Sequence, residues 1–322
     1  MKVTEHLALA KNPLISVEII PPKRGHSLQK LHEAIASIKP YNPPFIDVTS
    51  HSAEVIWEEM RDGTFKKRVK RKSPGTFGLC AAIKYKFEID PVPHILCSGF
   101  TREETEDALI ELNYLGIENV LAIRGDGKIK KNDRPDRSTN EYAVDLVAQL
   151  MRLNQGIYQD ELIDAAHTDF CVGVSYYPEK HFEAPNLKFD MEILLQKQNA
   201  GASYGVSQMF FENNSYHSYV AESRKMGVNI PLIPGLKILT TKSQLTVIPS
   251  IFHVDLPEEL TERMLKADTK EKQVEVGVDW AVKQTLELLE SGVPCVHFYI
   301  MQNTQPFVTL MEKLKKKYDF CD

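Results

Sequence analysis

Ile15-Ser16-Val17-Glu18-Ile19-Ile20-Pro21-Pro22-Lys23 reads as a short β-strand stopped by two prolines, with an acidic residue inside it. The first strand of an open dinucleotide-binding sheet is followed by a glycine-rich turn, and Pro21-Pro22 stands there instead. Alternation puts Ser16, Glu18 and Ile20 on one face and Ile15, Val17 and Ile19 on the other. So apolar a strand is expected to be buried, and a buried carboxyl group is hydrogen-bonded, paired or protonated. A free Glu titrates near 4.3, so only about one in 500 is protonated at pH 7. Desolvation that lifts this toward roughly 6–7 would make Glu18 a usable proton donor. The plain alternative is a Glu that caps a sheet edge or pairs with an arginine.

Outward from this strand, apolar runs alternate with amphipathic helical stretches. Strands are predicted at 15–20, 45–50, 92–97, 118–124, 170–177, 204–210, 231–236 and 295–301. Ser27 opens a helix with Leu28, Leu31, Ile35 and Ile38 at helical spacing. Thr101 and Glu104 form a capping box, and Gly116 closes the helix that follows. Helical patterns recur at 140–154, 188–200 and 215–226, and 255–292 reads as two consecutive helices before the last strand. About eight β-then-α units without a linker favour a closed parallel barrel over an open sheet. The expected fold is α/β, a (β/α)8 TIM barrel forming a single domain over residues 1–322.

Composition narrows the function classes. No run reaches the roughly 18–20 apolar residues of a membrane span, and the N-terminal stretch lacks the unbroken apolar core of a secretory signal. A net charge of −5 argues against a general nucleic-acid binder. Cys80, Cys97, Cys171, Cys295 and Cys321 are scattered without a CxxC, which argues against a disulfide framework or zinc site and fits a reducing cytoplasm. The basic run 61–74 reads as a solvated loop leading into a helix, since no aromatics interleave its charges. Lys313–Lys317 reads as the wet face of a last helix that buries Phe307, Leu310, Met311 and Leu314.

In such a barrel, chemistry is built at the C-terminal ends of the strands. Polar residues fall there repeatedly: Asp47-Val48-Thr49-Ser50-His51, His94, Arg124-Gly125-Asp126, Tyr177 through His181, and Ser207-Gln208. Each alone is more often a loop hydrogen-bonder, but together they mark one rim. After an apolar strand, Gly125 would let backbone approach a ligand, and Arg124 could clamp a phosphate.

These residues resemble the methylenetetrahydrofolate reductase family. The matching pieces are VEIIPPK, DVT, PHILC, LAIRGD, YYPEKH, AGA with SQMFF, IPGLKIL with its trailing Gln244, and VHFYIMQN, in order from about residue 12 to about 305. The resemblance is to the short catalytic type. It implies non-covalent FAD across the C-terminal rim, NADH or NADPH as co-substrate, and ping-pong reduction of 5,10-methylenetetrahydrofolate to 5-methyltetrahydrofolate, feeding methionine synthesis and one-carbon metabolism. It also implies a cytoplasmic homo-oligomer without metal, nucleic acid or membrane.

Carried over by position, Glu18 is implied as the general acid that opens the folate five-membered ring to an iminium. Asp126 is implied as the carboxylate contacting folate and flavin. Gln208, Gln244 and Asn303 are implied as substrate contacts, with Asn303 standing where an arginine more often meets the glutamate tail. FAD is implied on Thr49, Ser50, His94, Arg124, Gly125, Asp126, Ala143, Tyr177, His181, Ala184, Asp190 and Lys197. Two other readings stay open: a flavin-free pterin barrel that transfers a one-carbon group, and a non-catalytic barrel docking an acidic partner through its basic loop.

Overall fold

The first two sheet strands, β1 (Leu14–Ile19) and β2 (Phe45–Val48), are followed by an antiparallel hairpin of β3 (Glu54–Glu59) and β4 (Phe65–Lys70). The chain then returns to the sheet with β5 (Asp90–Leu96), β6 (Asn119–Ile123), β7 (Cys171–Tyr176), β8 (Tyr204–Ser207), β9 (Leu232–Ile233), β10 (Gly235–Leu236) and β11 (Cys295–Met301). This computed structural model describes residues 1–52, 54–70, 73–125, 138–301, 303–318 and 320.

Nine parallel strands lie in the order β10-β11-β1-β2-β5-β6-β7-β8-β9. Because β9 and β10 are consecutive in the chain, the ring closes through them, giving the expected (β/α)8 barrel. The predicted seventh strand, 231–236, is thus two dipeptides separated by Pro234, which has no N–H to offer a ladder. Its seam is held instead by His297 N donating to Pro234 O at 2.9 Å and Gly235 N donating to Ser207 Oγ at 2.8 Å. The packing there is tight: a Cβ on Gly235 would lie 2.5 Å from Ser207 O.

Alternation along β1 sorts its side chains as expected. Ile15, Val17 and Ile19 pack outward against Leu31, Ile35 and Ile38 of a helix, and Ser16 and Glu18 face the barrel interior. The helical layer comprises α1 (Val3–Leu9), α2 (Gln29–Ile38), α3 (Thr76–Ala82), α4 (Arg102–Tyr114), α5 (Ala143–Asn154) and α6 (Leu187–Asn199). It continues through α7 (Asn213–Lys225), α8 (Gln244–Phe252), α9 (Glu258–Lys266), α10 (Lys270–Glu290) and α11 (Gln305–Leu314). The Thr101 box forms, with Glu104 N donating to Thr101 Oγ1 at 3.1 Å and Thr101 N to Glu104 Oε2 at 2.9 Å. α11 buries Phe307, Leu310, Met311 and Leu314. Among the described residues no helix is long and apolar enough to cross a membrane.

Three elements differ from expectation. α1 is an extra helix whose Val3 joins Phe45, Val92, Leu121, Cys171, Tyr204 and Cys295 in an apolar plug at the barrel floor. α8 is a second extra helix, carrying Pro249 inside it. The basic run, as far as Lys70, is no loop but the turn and second strand of the hairpin: Met60 N donates to Thr64 O at 2.7 Å, and Asp62-Gly63 makes the turn with Gly63 at φ 77°; residues 71 and 72 lie outside the described residues. Across that hairpin Glu58 meets Arg68 at 2.9 Å.

Candidate active site

Inward-facing residues of β1, β2, β5 and β11 build a polar layer above the apolar floor. Glu18 is 9% exposed, Asp47 1%, His94 5% and His297 1%. Register sets them side by side, Glu18 opposite Asp47 on β2 and opposite Tyr299 on β11. His94 Nε2 stands 3.5 Å from Glu18 Oε2 and 3.5 Å from Asp47 Oδ2. Immediately after Glu18 the ladder with β11 slips, so that Ile19 faces Met301, and Met301 takes the left-handed φ of 61°. Such a bulge bends a strand and re-aims the neighbouring side chain.

His297 Nδ1 shares a hydrogen with Ser16 Oγ at 2.9 Å. Burial pushes its imidazole down to about 4, against the pull of Asp47. Burial also raises the Tyr299 phenol well above its usual range, and that phenol donates to Ser207 O across the seam. Just beyond β10, Lys237 Nζ donates to Tyr299 O at 2.8 Å. Burial lowers this ammonium from its ordinary value, and Glu18 raises it in return. Neither carboxyl oxygen of Asp47 nor the hydroxyl of Thr49 meets a hydrogen-bond partner among the described residues.

The rim after β6 and β7 is organised differently. Arg124 forms an ion pair with Glu183. Gly125 sits at the left-handed φ of +93°, and a Cβ there would come 3.3 Å from Ser98 Cβ, so both the turn and the packing at this strand end call for glycine. Lys197 of α6 is 8% exposed; its Nζ donates to Ser175 O at 2.7 Å, and burial pushes it down to about 8. Asp190 accepts from His181 N at 2.9 Å. Burial, helped by Arg124, brings the His181 ring down to about 4, and its Nδ1 accepts from Glu183 N at 3.2 Å, which assigns the proton of the neutral ring to Nε2. Tyr177 packs edge-on to His181, ring centres 4.6 Å apart. Ala184 is buried beside this group, its N–H donating to His181 O at 3.0 Å; Ala143 is buried at the start of α5, and Ser50 is half-buried beyond β2.

The residues expected to meet substrate separate. Gln244 spends its amide oxygen on Thr240 N at 2.7 Å and Thr241 N at 3.1 Å, stapling the turn into α8. It still lines, with Lys237, Tyr299 and Asn303, a cavity of about 210 Å³. Gln208, after β8, folds its own Oε1 onto Met209 N at 2.9 Å. Asp126 lies outside the described residues. Sequence reasoning noted Asp47 at a strand end without giving it a role, and it passed over Lys237 and His297. The alternation Cys295, His297, Tyr299 along the last strand was the available signal for an inward-facing histidine.

With this geometry in view, comparison with known proteins is informative. A family described as methylenetetrahydrofolate reductase matches residues 2–315. Methylenetetrahydrofolate reductase 1 of Schizosaccharomyces pombe is 28% identical over 302 residues, covering 93% of this chain and 45% of that protein. The 5,10-methylenetetrahydrofolate reductase of Pectobacterium carotovorum is 26% identical over 294 residues, covering 90% and 86%. The chain thus spans about half the length of the fungal relatives it matches, at 45% and 50%, and most of the bacterial one. A solved structure from Clostridium thermocellum, described as binding two copies of 5-methyl-5,6,7,8-tetrahydrofolic acid, shares the fold with a TM-score of 0.59 at 12% identity, covering 98% of this chain and 99% of that one. A family match over nearly every residue, on a barrel of the expected topology, means that the chain belongs to the methylenetetrahydrofolate reductase family.

Proposed function

We propose that this chain reduces 5,10-methylenetetrahydrofolate to 5-methyltetrahydrofolate with NADH or NADPH as reductant, by ping-pong kinetics on non-covalent FAD. Homo-oligomeric assembly in the cytoplasm belongs to the same proposal. The observation that carries it is Glu18: a carboxyl group in the barrel interior, 9% exposed, at the C-terminal end of β1 and beside a histidine.

The rim fits an anionic dinucleotide. Arg124 and Lys197 both act on the His181 ring, which marks two cations close together, and the buried Thr49 hydroxyl has a hydrogen bond to give. Arg124 and Lys197 would take the diphosphate, with Thr49, Ser50, His94, Tyr177 and His181 around the remainder. Bound FAD supplies two-electron chemistry between nicotinamide and folate, while the protein orients and protonates.

The chain's own part is proton work. Glu18 gives a proton to the bridging amine of the folate five-membered ring, the C–N bond breaks, and the resulting iminium carbon is ready for reduction. Burial disfavours the charged form of a carboxyl group, which suits Glu18 to this role, and it keeps water from the cation. In this proposal Asp126 stabilises that cation.

The test separates the half-reactions anaerobically. Glu18→Gln should keep its reduction by nicotinamide yet lose about 10²–10⁴-fold in reoxidation by methylenetetrahydrofolate. Reoxidation at the unaltered rate would overturn the reading. Running both nicotinamides through the first half-reaction decides the reductant.

A further inference from the structure

The barrel mouth holds a cation that the proposed chemistry leaves unused. Lys237 directly follows β10, is half-buried, and reaches β11, where its Nζ donates to Tyr299 O at 2.8 Å. An ammonium group has three hydrogens to give, and this bond takes one. Lys237 has no second hydrogen-bond or ion-pair partner among the described residues.

The ammonium faces the cavity of about 210 Å³ that it shares with Gln244 and Asn303. Among the described residues lining that cavity Lys237 is the only charged one, and no carboxyl group shares the wall. Gln244 has spent its amide oxygen on Thr240 N and Thr241 N, so what it still offers is its NH₂, a donor. The first turn of α11 borders the same hollow through Pro306 and Phe307. Its N-cap residue, Thr304, makes no side-chain cap and accepts from Ser37 Oγ at 2.9 Å instead. The positive end of that helix adds to the field of the ammonium. Ile238, Phe298 and Ile300 make much of the remaining wall apolar. Such a hollow is the complement of an aryl or alkyl chain that ends in an anion.

We propose that Lys237 is a specificity-determining residue: its ammonium anchors a carboxylate of the glutamate moiety of the folate substrate in this cavity. The inference rests on folate being the substrate, and it deepens that reading. Register puts Glu18 opposite Tyr299 on β11, and Lys237 extends β10 to the same level. Two strand spacings, about 10 Å, thus separate the backbone of the proposed acid from that of the cation. That span is comparable to the p-aminobenzoyl group, which lies between the bridging amine of folate and its glutamate. One ammonium balances one carboxylate, whereas a phosphate monoester such as that of NADPH carries about −1.5 to −2 and would leave charge over.

The experiment measures the concentration that half-saturates reoxidation of the reduced, flavin-loaded protein. It compares methylenetetrahydrofolate with methylenetetrahydropteroyl butylamide, which keeps the rings and the amide but has no carboxylate. Lys237→Met should raise half-saturation about 10–100-fold for the folate, the worth of a charge-assisted bond, and less than about twofold for the butylamide. The loss should fall on half-saturation rather than on the limiting rate, and Lys237→Arg should recover most of it. Flavin reduction by NADH or NADPH should not share the loss. Flavin content checks folding, with Lys237→Gln as the second uncharged variant, and wild type itself should favour the folate over the butylamide by about the same factor. Equal losses for the two substrates would overturn the inference, since the ammonium would then only shape the hollow. So would wild type that takes both substrates alike, or a loss confined to the nicotinamide half-reaction, which would give the anion to the reductant. Wild-type protein that leaves methylenetetrahydrofolate unreduced would defeat the proposed function, and this inference with it.

Discussion

At the β6–β7 rim, Arg124 pairs with Glu183, Lys197 bonds a backbone carbonyl and Asp190 receives the His181 amide. In the interior cluster, Asp47 has two carboxyl oxygens without a hydrogen-bond donor among the described residues, and Glu18 shares one imidazole with it at 3.5 Å. The first region resembles a socket: its cations are fixed in advance and give up little water when an anion arrives. The second crowds two carboxyl groups and an imidazole into a water-poor interior, the kind of setting in which acid–base chemistry is built. On the proposed reading, the diphosphate is held from the β6–β7 rim, while the proton is handled on β1.

Substitutions can break or sharpen that contrast. The largest effect on cofactor affinity is expected from Lys197→Met, which should weaken FAD binding about 10–100-fold in a fluorescence titration, the worth of one charge-assisted contact to phosphate. Glu18→Gln should leave that affinity nearly unchanged, and a reversed order would erase the division of labour. Gly125→Ala forces a methyl into a left-handed position 3.3 Å from Ser98 Cβ. It should cost about 1–2 kcal/mol in denaturant unfolding; no loss would mean that the socket backbone is not held tightly.

Glu179 sharpens the contrast from the socket side. Burial raises its carboxyl group to about 7 although Asp255 N donates to it at 2.8 Å. A carboxyl group raised on folding favours the fold when protonated, so its contribution is full below about 4.5 and is lost as pH rises through about 7. Glu179→Gln should therefore match wild type near pH 4 and exceed it by about 1 kcal/mol at pH 8, after discounting for solvent screening. Equal stability at both pH values would place Glu179 in ordinary solvent. The smallest effect is expected at Trp57, 61% exposed on the hairpin, where Trp57→Ala should change unfolding free energy by no more than about 0.5 kcal/mol. A larger loss would show that the hairpin braces the barrel.

Much of this was legible in the chain. The two-residue period of β1 places Glu18 inward, the Thr101 and Glu104 spacing forms its box, and the β-then-α rhythm closes as a barrel. The hairpin escaped because its charges outweighed the Asp62-Gly63 turn signal, and the split strand escaped although Pro234 was in plain sight. The cluster itself depends on closure. Ser16 and His297 are 281 residues apart and meet only because the last strand lies against the first. Local periodicity carries no information about that pairing, so His94 could be named from its family likeness, whereas Asp47 and His297 acquired meaning from the folded ring.

Every stave of a hoop must be joined on both sides, and here the shortest stave is made of two dipeptides. The cavity holding Lys237 and Gln244 hangs from its upper end and reaches over to Tyr299 and Met301 on the next stave. Whatever occupies that hollow grips both sides of the joint at once. A molecule seated there would touch residues on both sides of the seam, so filling the hollow and bracing the hoop would coincide.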